Sequence, residues 1–447
     1  MKIKDSEFKS YTLKLGDFIK KSPTAFHAIE SIENILSDNG YKRLNEADSW
    51  DLKLGAKYYV IRNHSSIIAL DLGKSLKELS FNITASHSDS PLFKVKENAL
   101  LEVRGKYTQL NTEGYGGMLC APWLDRPLSL AGRAIVKKSV SKETRFENRL
   151  INLDKDMLLI PNMAIHMNRK ANEGIEYNKQ IDMLPLIGEG SLNKDEFMSM
   201  IADSINENKE DILGTELYVY NRMEPSIWGA KEEYFSAPRL DDLQCAYASL
   251  YGLLRCKNTK NVNVYACLDN EEVGSSTKQG AASTFLKDVL KRIASNLNFN
   301  DEEYLKALAK SFMLSCDNAH AVHPNHPAKT DDKNCVYMNE GVVIKSHAGA
   351  KYTTDAVSCA VFKDICQKAD VPVQYFSNRS DEIGGSTLGN IATSQVSINC
   401  IDIGLPQLAM HSPYETAGVK DTLYMTMAVE EFYRTHFSTQ NDDCVIK

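Results

Sequence analysis

The chain has 447 residues, which is enough for two or three domains and for a large core that folds without disulfides. Hydrophobic residues make up 43% and charged residues 25%, a composition typical of globular proteins that excludes a disordered chain or a fibre. The net charge of −7 argues against a nucleic-acid partner, and the lack of a long apolar run or signal-peptide core predicts a cytoplasmic chain with no membrane contact.

The first segment is predicted to contain an amphipathic helix, because apolar residues recur at helical spacing around Leu15 and again around Ile29. Alternating and continuous apolar runs then predict three strands, at 57–63, 65–72 and 79–86. The third strand runs directly into the sequence HSDSP, which begins at His87.

The character of the sequence changes between about 100 and 230, where glycine-rich turns, short strands and a helix at 194–208 are predicted. Beyond 236, strands alternate with helices: strands at 261–270, 311–318, 371–378 and 397–404, and helices at 280–296 and 419–435. This alternation predicts an α/β sheet covered by helices on both faces, in which functional groups gather at the carboxyl ends of strands.

Potential metal ligands follow several of these apolar stretches: His87, Asp241, the pair Glu271-Glu272, Asp317 and His411. Two histidines and several carboxylates suit a pair of zinc, manganese or cobalt ions, which a carboxylate can bridge. Each residue alone also has a structural explanation, since an aspartate before a helix is usually an N-cap. Their recurrence at strand ends favours a two-metal site.

The adjacent glutamates are the most informative detail, because neighbouring carboxylates at a turn point in different directions. One can bind metal while the other acts as general base, the division of labour that a metallohydrolase needs. The spacing of His87 and Asp89 suggests a carboxylate that orients the imidazole or tunes the metal ligand.

These segments resemble the aspartyl aminopeptidase and vacuolar aminopeptidase I family of dinuclear-zinc exopeptidases. The resemblance covers nearly the whole chain and rests on these motifs, in the family's order: ASHSDSP, APWLDRPLSLAGR, IPNMAIHMNR, SAPRLDDL, DNEEVGS, SCDNAHAVHPN, GGSTLG and MHSPYE. DNEEVGS together with the DNAHAVHPN segment is a highly specific combination.

The resemblance implies metal ligands at His87, Asp241, Glu272, Asp317 and His411, with Asp241 bridging the two ions. His87 and Asp317 would complete one ion, and Glu272 and His411 the other. Glu271 would be the general base and Asp89 the acid beside the first histidine. His166 is implied to reach the active site of a partner subunit.

The family fold is a doubly wound, mixed-sheet α/β peptidase domain interrupted by a β-rich dimerisation domain. Carried onto this chain, it gives a catalytic domain in two parts, 1–100 and 231–447, around an insertion at 101–230. The family also implies two divalent ions, zinc or else manganese or cobalt, peptide substrates, and assembly as a tetrahedral homododecamer.

The sequence departs from the family where substrate choice is decided. Many relatives carry an arginine where Tyr414 stands, and Asp242 replaces an asparagine of the acid-preferring members. Lys345 matches the position linked to the acidic pocket, and His320 lies at the matching place in the metal loop. One cation, Lys345, therefore remains, and the arginine is lost. We therefore expect acidic and apolar first residues both to be accepted.

Two other functions compete with the aminopeptidase. Related dinuclear carboxypeptidases and N-acyl amino acid deacylases share the two-metal chemistry, but they carry their inserted domain later in the chain. Here the insertion falls between His87 and Asp241. An inactive self-assembling scaffold would require a broken site, whereas every ligand position is filled.

Overall fold

The computed structural model describes residues 3–76, 78–258, 260–441 and 443–446. The helices are α1 (Asp5–Lys20), α2 (Ala25–Asp38), α3 (Lys194–Ser204), α4 (Leu240–Arg255), α5 (Phe285–Asn296), α6 (Asp301–Ala309), α7 (Ala356–Lys368), α8 (Leu388–Gln395) and α9 (Asp421–Arg434). The first eleven strands are β1 (Lys42–Leu44), β2 (Lys57–Arg62), β3 (Ser66–Leu72), β4 (Phe81–His87), β5 (Leu92–Val103), β6 (Tyr107–Tyr115), β7 (Leu128–Val140), β8 (Glu143–Asn152), β9 (Leu186–Glu189), β10 (Ile212–Asn221) and β11 (Ser226–Trp228). The others are β12 (Tyr234–Ala237), β13 (Val262–Leu268), β14 (Phe312–Cys316), β15 (Ala319–His320), β16 (Val342–Lys345), β17 (Val373–Phe376), β18 (Asn399–Gly404), β19 (Pro406–Leu408), β20 (Glu415–Gly418), β21 (Phe437–Gln440) and β22 (Asp443–Ile446).

The chain forms two compact units. The first unit contains Met1–Asp89, Pro225–Met410 and Glu415–Lys447, and the second contains Ser90–Glu224 and His411–Tyr414. The first unit is therefore built from segments on both sides of the second. The dimerisation role expected for residues 101–230 stays a prediction.

The first unit is organised around a nine-stranded sheet with the order β1-β2-β3-β13-β4-β14-β18-β16-β17. Its four central strands, β13, β4, β14 and β18, are parallel, whereas β3 runs antiparallel to β13 and β16 runs antiparallel to β18. A strand that is buried on both faces has a continuous run of apolar residues, which explains why these strands could be predicted from the sequence.

Helices cover both faces of this sheet, and β13 shows how the sequence specifies the two cores. Tyr265 and Cys267 point into a core shared with α1, α2, α4, α7 and α9. The alternating residues Val264 and Ala266 point into the opposite core, with α5, α6 and α8. This period of two is what a strand between two helical layers requires.

Most predicted elements are present within a few residues of their expected bounds. The amphipathic start is two helices, α1 and α2, rather than one, and they are separated at Lys21–Thr24, where Pro23 follows Ser22. The helix expected at 194–208 ends at Ser204, while its start is fixed by an Asn193–Glu196 capping box.

The second unit contains a six-stranded antiparallel sheet with the order β8-β7-β10-β5-β6-β9. Its core includes Phe93 and Trp123, whose rings meet edge to face with centroids 5.1 Å apart. The fold-class prediction is confirmed: the protein is a mixed α/β structure with a separate antiparallel region. Among the described residues, no helix has the length and apolar character needed to cross a membrane.

Candidate metal centre

The central parallel strands bring three of the predicted ligand segments to one edge of the sheet. His87 is the last residue of β4, the Glu271–Val273 turn follows β13, and Asp317 follows β14. Because β13, β4 and β14 are adjacent and parallel, their carboxyl ends lie side by side.

A cluster of one histidine and three aspartates forms at this edge: His87, Asp241, Asp242 and Asp317. All four residues are buried, and one potential ligand atom from each lies within 4.8 Å of the others. His87 Nε2 is 3.3 Å from Asp241 Oδ1. His87 also forms a group of the same dimensions with Glu271 and Glu272.

Asp89 contacts both the backbone of the glutamate turn and the imidazole of His87. Its Oδ1 accepts a hydrogen bond from the Glu271 amide (3.1 Å), and its Oδ2 accepts one from the Glu272 amide (3.2 Å). The Nδ1 atom of His87 is 3.0 Å from the Asp89 carbonyl oxygen and 3.4 Å from Oδ1. One buried carboxylate therefore fixes both the glutamate turn and the imidazole.

Two further residues of the site were missed by the sequence analysis. Asp242, noted only as a departure from the family, accepts a hydrogen bond from the His87 amide through Oδ2 (3.1 Å) and belongs to the cluster itself. Glu415 accepts one from the Asp241 amide (3.0 Å). The doubled acid in RLDD was a signal for Asp242, whereas nothing in the sequence linked Glu415 to Asp241.

The electrostatics of the cluster favour a bound cation. Burial raises the pKa of the Asp242 carboxyl far above its usual range, and its neighbours Asp317 and Asp241 raise it further. Asp242 Oδ1 is buried and accepts no hydrogen bond from the residues that the structure describes. Buried carboxylates in excess of their cations are costly unless paired, and histidine with carboxylates is a donor set that zinc accepts. The residues present therefore fit a metal ion.

Lys345 lies within the sheet rather than at its carboxyl edge, because β16 runs antiparallel to β18. Its side chain is buried, and its Nζ is 3.5 Å from Asp317 Oδ2. Burial lowers the pKa of this ammonium, but Asp317, Tyr352 and Asp402 together outweigh burial and hold the pKa above its usual value.

Three other predicted residues, His320, His166 and His411, are not among the four residues of this cluster. His320, in β15, is exposed and lines a cavity of about 280 Å³ together with Lys329, Phe376, Arg379 and Gln407. His166 is exposed in a turn of the second unit. His411 groups with the second unit and has a positive φ of 68°.

The pKa values predict how pH acts on the metal-stripped protein. Burial raises the pKa of Glu271 to about 8 and those of Asp269 and Asp421 to about 7, against ordinary values of 4.5 and 3.8. At pH values between the ordinary and the raised pKa values, the folded chain binds more protons than the unfolded chain. The free energy of unfolding therefore falls as pH rises. We expect metal-stripped protein to melt at a higher temperature at pH 6 than at pH 8.

Zinc should reverse this trend, because metal binding requires deprotonated ligands and strengthens with pH. The increase in melting temperature on adding zinc should therefore be larger at pH 8 than at pH 6. Metal-stripped protein that is more stable at pH 8 would contradict the raised pKa values.

Comparisons with known proteins agree on one family. The profile described as "Aminopeptidase I zinc metalloprotease (M18)" matches residues 18–433. A protein of Clostridium novyi named "Probable M18 family aminopeptidase 2" is 45% identical over 425 residues, covering 94% of this chain and 98% of that protein.

Solved structures are similar over the same length. A chain in a structure described as "Cryo-EM structure of the Ape4 and Nbr1 complex" superposes with a TM-score of 0.91 at 33% identity, over 97% of this chain and 87% of that chain. A chain in a structure of the S. cerevisiae mApe1 dodecamer superposes with a TM-score of 0.82 at 24% identity, over 95% of this chain and 97% of that chain. The second likeness concerns the fold alone.

The fold, the buried histidine–carboxylate cluster and the family match over residues 18–433 all point to the same chemistry. The chain belongs to the M18 family of zinc metalloproteases and is a metallo-aminopeptidase, a hydrolase of peptide bonds.

Proposed function

We propose that this aminopeptidase uses two divalent metal ions and removes acidic as well as apolar residues from the N-termini of peptides. The observation that carries the proposal is the cluster at the sheet edge, where His87 and Asp241 lie among more carboxylates than one ion needs. Asp241 would supply a ligand to each ion, and His87 and Asp317 would hold one of them. Glu272 would bind the other, and His411 as its remaining ligand stays a prediction from the sequence.

The metal centre would supply Lewis acidity, polarising the scissile carbonyl and lowering the pKa of a coordinated water towards about 7. Glu271 then acts as the general base: its carboxylate takes a proton from the attacking water and returns it to the leaving amine nitrogen. The turn that carries Glu271 is held through its amides by Asp89, so the base is positioned before substrate arrives.

Assembly into a homo-oligomer, the tetrahedral dodecamer of the family prediction, would complete the site. His166 lies in an exposed turn, and its neighbours Met163, Ile165 and Met167 are 59%, 43% and 79% exposed. Such a run of exposed apolar side chains is typical of a contact surface. A partner subunit covering it would bring His166 to a second active site, where its imidazole can stabilise the developing oxyanion.

The side chain of the first substrate residue is proposed to enter the cavity lined by His320. This residue is three positions beyond Asp317 along an extended segment, which places it within about 10 Å of the cluster. The cavity offers an aromatic wall at Phe376 and cations at Lys329 and Arg379. A mixed lining of this kind suits acidic and apolar side chains alike.

A panel of aminoacyl chromogenic substrates tests the proposal. Metal-stripped enzyme should recover activity when zinc, manganese or cobalt is added, with two ions bound per chain at full activity. Aspartyl, glutamyl and leucyl substrates should all be hydrolysed. Hydrolysis of N-acyl amino acids instead would identify a deacylase, and one ion per chain at full activity would exclude the dinuclear mechanism.

A further inference from the structure

Arg239 is a buried cation two residues before Asp241. Only 6% of its surface is exposed. Its Nε donates a hydrogen bond to the carbonyl oxygen of Ser22 (3.0 Å), and its Nη2 donates one to the carbonyl oxygen of Ile19 (3.1 Å). Ile19 lies in the last turn of α1, and Ser22 follows the end of that helix. The guanidinium therefore attaches residue 239 to the corner between α1 and α2.

The end of α1 is a suitable environment for a buried guanidinium. The last carbonyl groups of a helix have no partner within the helix, and they form the negative end of the helix dipole. A planar guanidinium can donate to two such oxygens at once. Burial, and after it the charge of Arg239, lower the pKa of His27 in α2 to about 4. The imidazole is therefore neutral near pH 7 and does not add a second positive charge to this corner.

The backbone of Arg239 is also in a conformation that needs support. Its φ of 59° and ψ of 33° lie in the left-handed region, which residues other than glycine rarely adopt unless the surrounding structure holds them there. Arg239 occupies the turn between β12 and α4, directly before the residues that lead into the metal cluster. Its side-chain contacts therefore fix a turn that determines how the chain reaches Asp241.

Each residue of the segment 239–241 is held by a different part of the first unit. The Nδ2 atom of Asn318 donates to the carbonyl oxygen of Leu240 (3.1 Å), and the amide of Asp241 donates to Glu415 (3.0 Å). Arg239 adds the connection to the α1–α2 corner. Without this connection, the segment would lose its support on the side that precedes Asp241.

We propose that Arg239 is a positioning residue, which holds Asp241 in the orientation required for metal binding and makes the α1–α2 corner a support of the metal centre. The inference rests on the proposed function, in which Asp241 is a metal ligand. Loss of a residue that fixes a ligand without touching the metal typically lowers metal affinity about 10- to 100-fold.

Replacing Arg239 with methionine tests the inference, because it removes every donor and keeps an unbranched side chain. We expect zinc affinity, measured by competition between the zinc-loaded enzyme and a chelator, to fall about 10- to 100-fold. Activity should be partly recovered at high zinc, since the turn that carries Glu271 is held separately by Asp89.

Arg292→Met is the matched control for a general loss of stability. Arg292, on α5, also donates to two backbone carbonyl oxygens, those of Glu46 and Asp48, but α5 packs on the opposite face of the sheet. This variant should melt at a lower temperature than the wild-type enzyme and bind zinc with the same affinity. A similar loss of zinc affinity in both variants would overturn the inference, because the effect would then come from stability alone.

Arg239→Gln is the second variant, for the case in which the methionine variant does not fold. Glutamine keeps one donor near the position of Nε but loses the charge and the second donor, so zinc affinity should again fall. Wild-type zinc affinity in the folded methionine variant, or in the glutamine variant if only that one folds, would overturn the inference.

Asp241→Asn separates this inference from the proposed function. It should lose zinc at least as severely as Arg239→Met, because it alters the ligand itself. Unchanged zinc binding in Asp241→Asn would show that Asp241 is not a ligand, and the proposed function would fail together with the inference. Loss of zinc in Asp241→Asn, with wild-type affinity in the folded Arg239 variant, would overturn the inference alone.

Discussion

Replacing Glu271 with glutamine should lower turnover by at least about 10²-fold, the usual contribution of a general base, while zinc content stays near that of the wild-type enzyme. Glutamine keeps the shape of the side chain and removes the proton acceptor. The amides of residues 271 and 272 would still donate to Asp89, so the turn should keep its conformation. Turnover and metal content per chain, measured on the same sample, check this result.

Glu272→Gln is the matched control, because it alters the neighbouring carboxylate on the same turn. Its expected effect is the opposite one: loss of bound metal, with activity partly recovered at high zinc. The assignment of the two glutamates is reversed if Glu271→Gln loses metal and Glu272→Gln retains it.

The central strands could be predicted from the sequence because burial on both faces gives them continuous apolar runs. The bounds of β13 and β14 lie within two residues of the prediction at every end. The break between α1 and α2 was missed, since the same apolar periodicity continues on both sides of Pro23. Pairing directions could not be predicted, and the antiparallel direction of β16 decides where Lys345 lies.

In the metal centre, the positions at strand ends could be predicted from the sequence, whereas the tertiary contacts could not. His87, Glu271 and Asp317 could be anticipated because each follows a strand of one parallel set, and parallel strands end at one edge. Contacts that depend on tertiary packing had no such signal. Asp89 bonds two amides that are more than 180 positions away in the chain, and Glu415 bonds the amide of Asp241 across 174 positions.

His166→Ala should lower turnover by about 10²- to 10³-fold, the cost of losing one oxyanion-stabilising donor, without changing oligomer size or zinc content. His166 is exposed and distant in sequence from the ligands, so its removal leaves both cores intact. Light scattering, zinc analysis and kcat measured together distinguish this outcome from a disrupted assembly. A fall in oligomer size would mean that His166 supports the interface rather than the reaction.

Mixing inactive His166→Ala and Glu271→Gln subunits tests whether this histidine acts across an interface. In a mixed oligomer, a site can combine an intact Glu271 from one subunit with an intact His166 from its neighbour. Random pairing at equal amounts should restore about a quarter of the sites, since the two intact residues must meet across a repeated interface. Differently tagged subunits, isolated together after dissociation and reassembly, establish that mixing has occurred. If such mixed oligomers remain as inactive as either parent, His166 serves only the active site of its own chain.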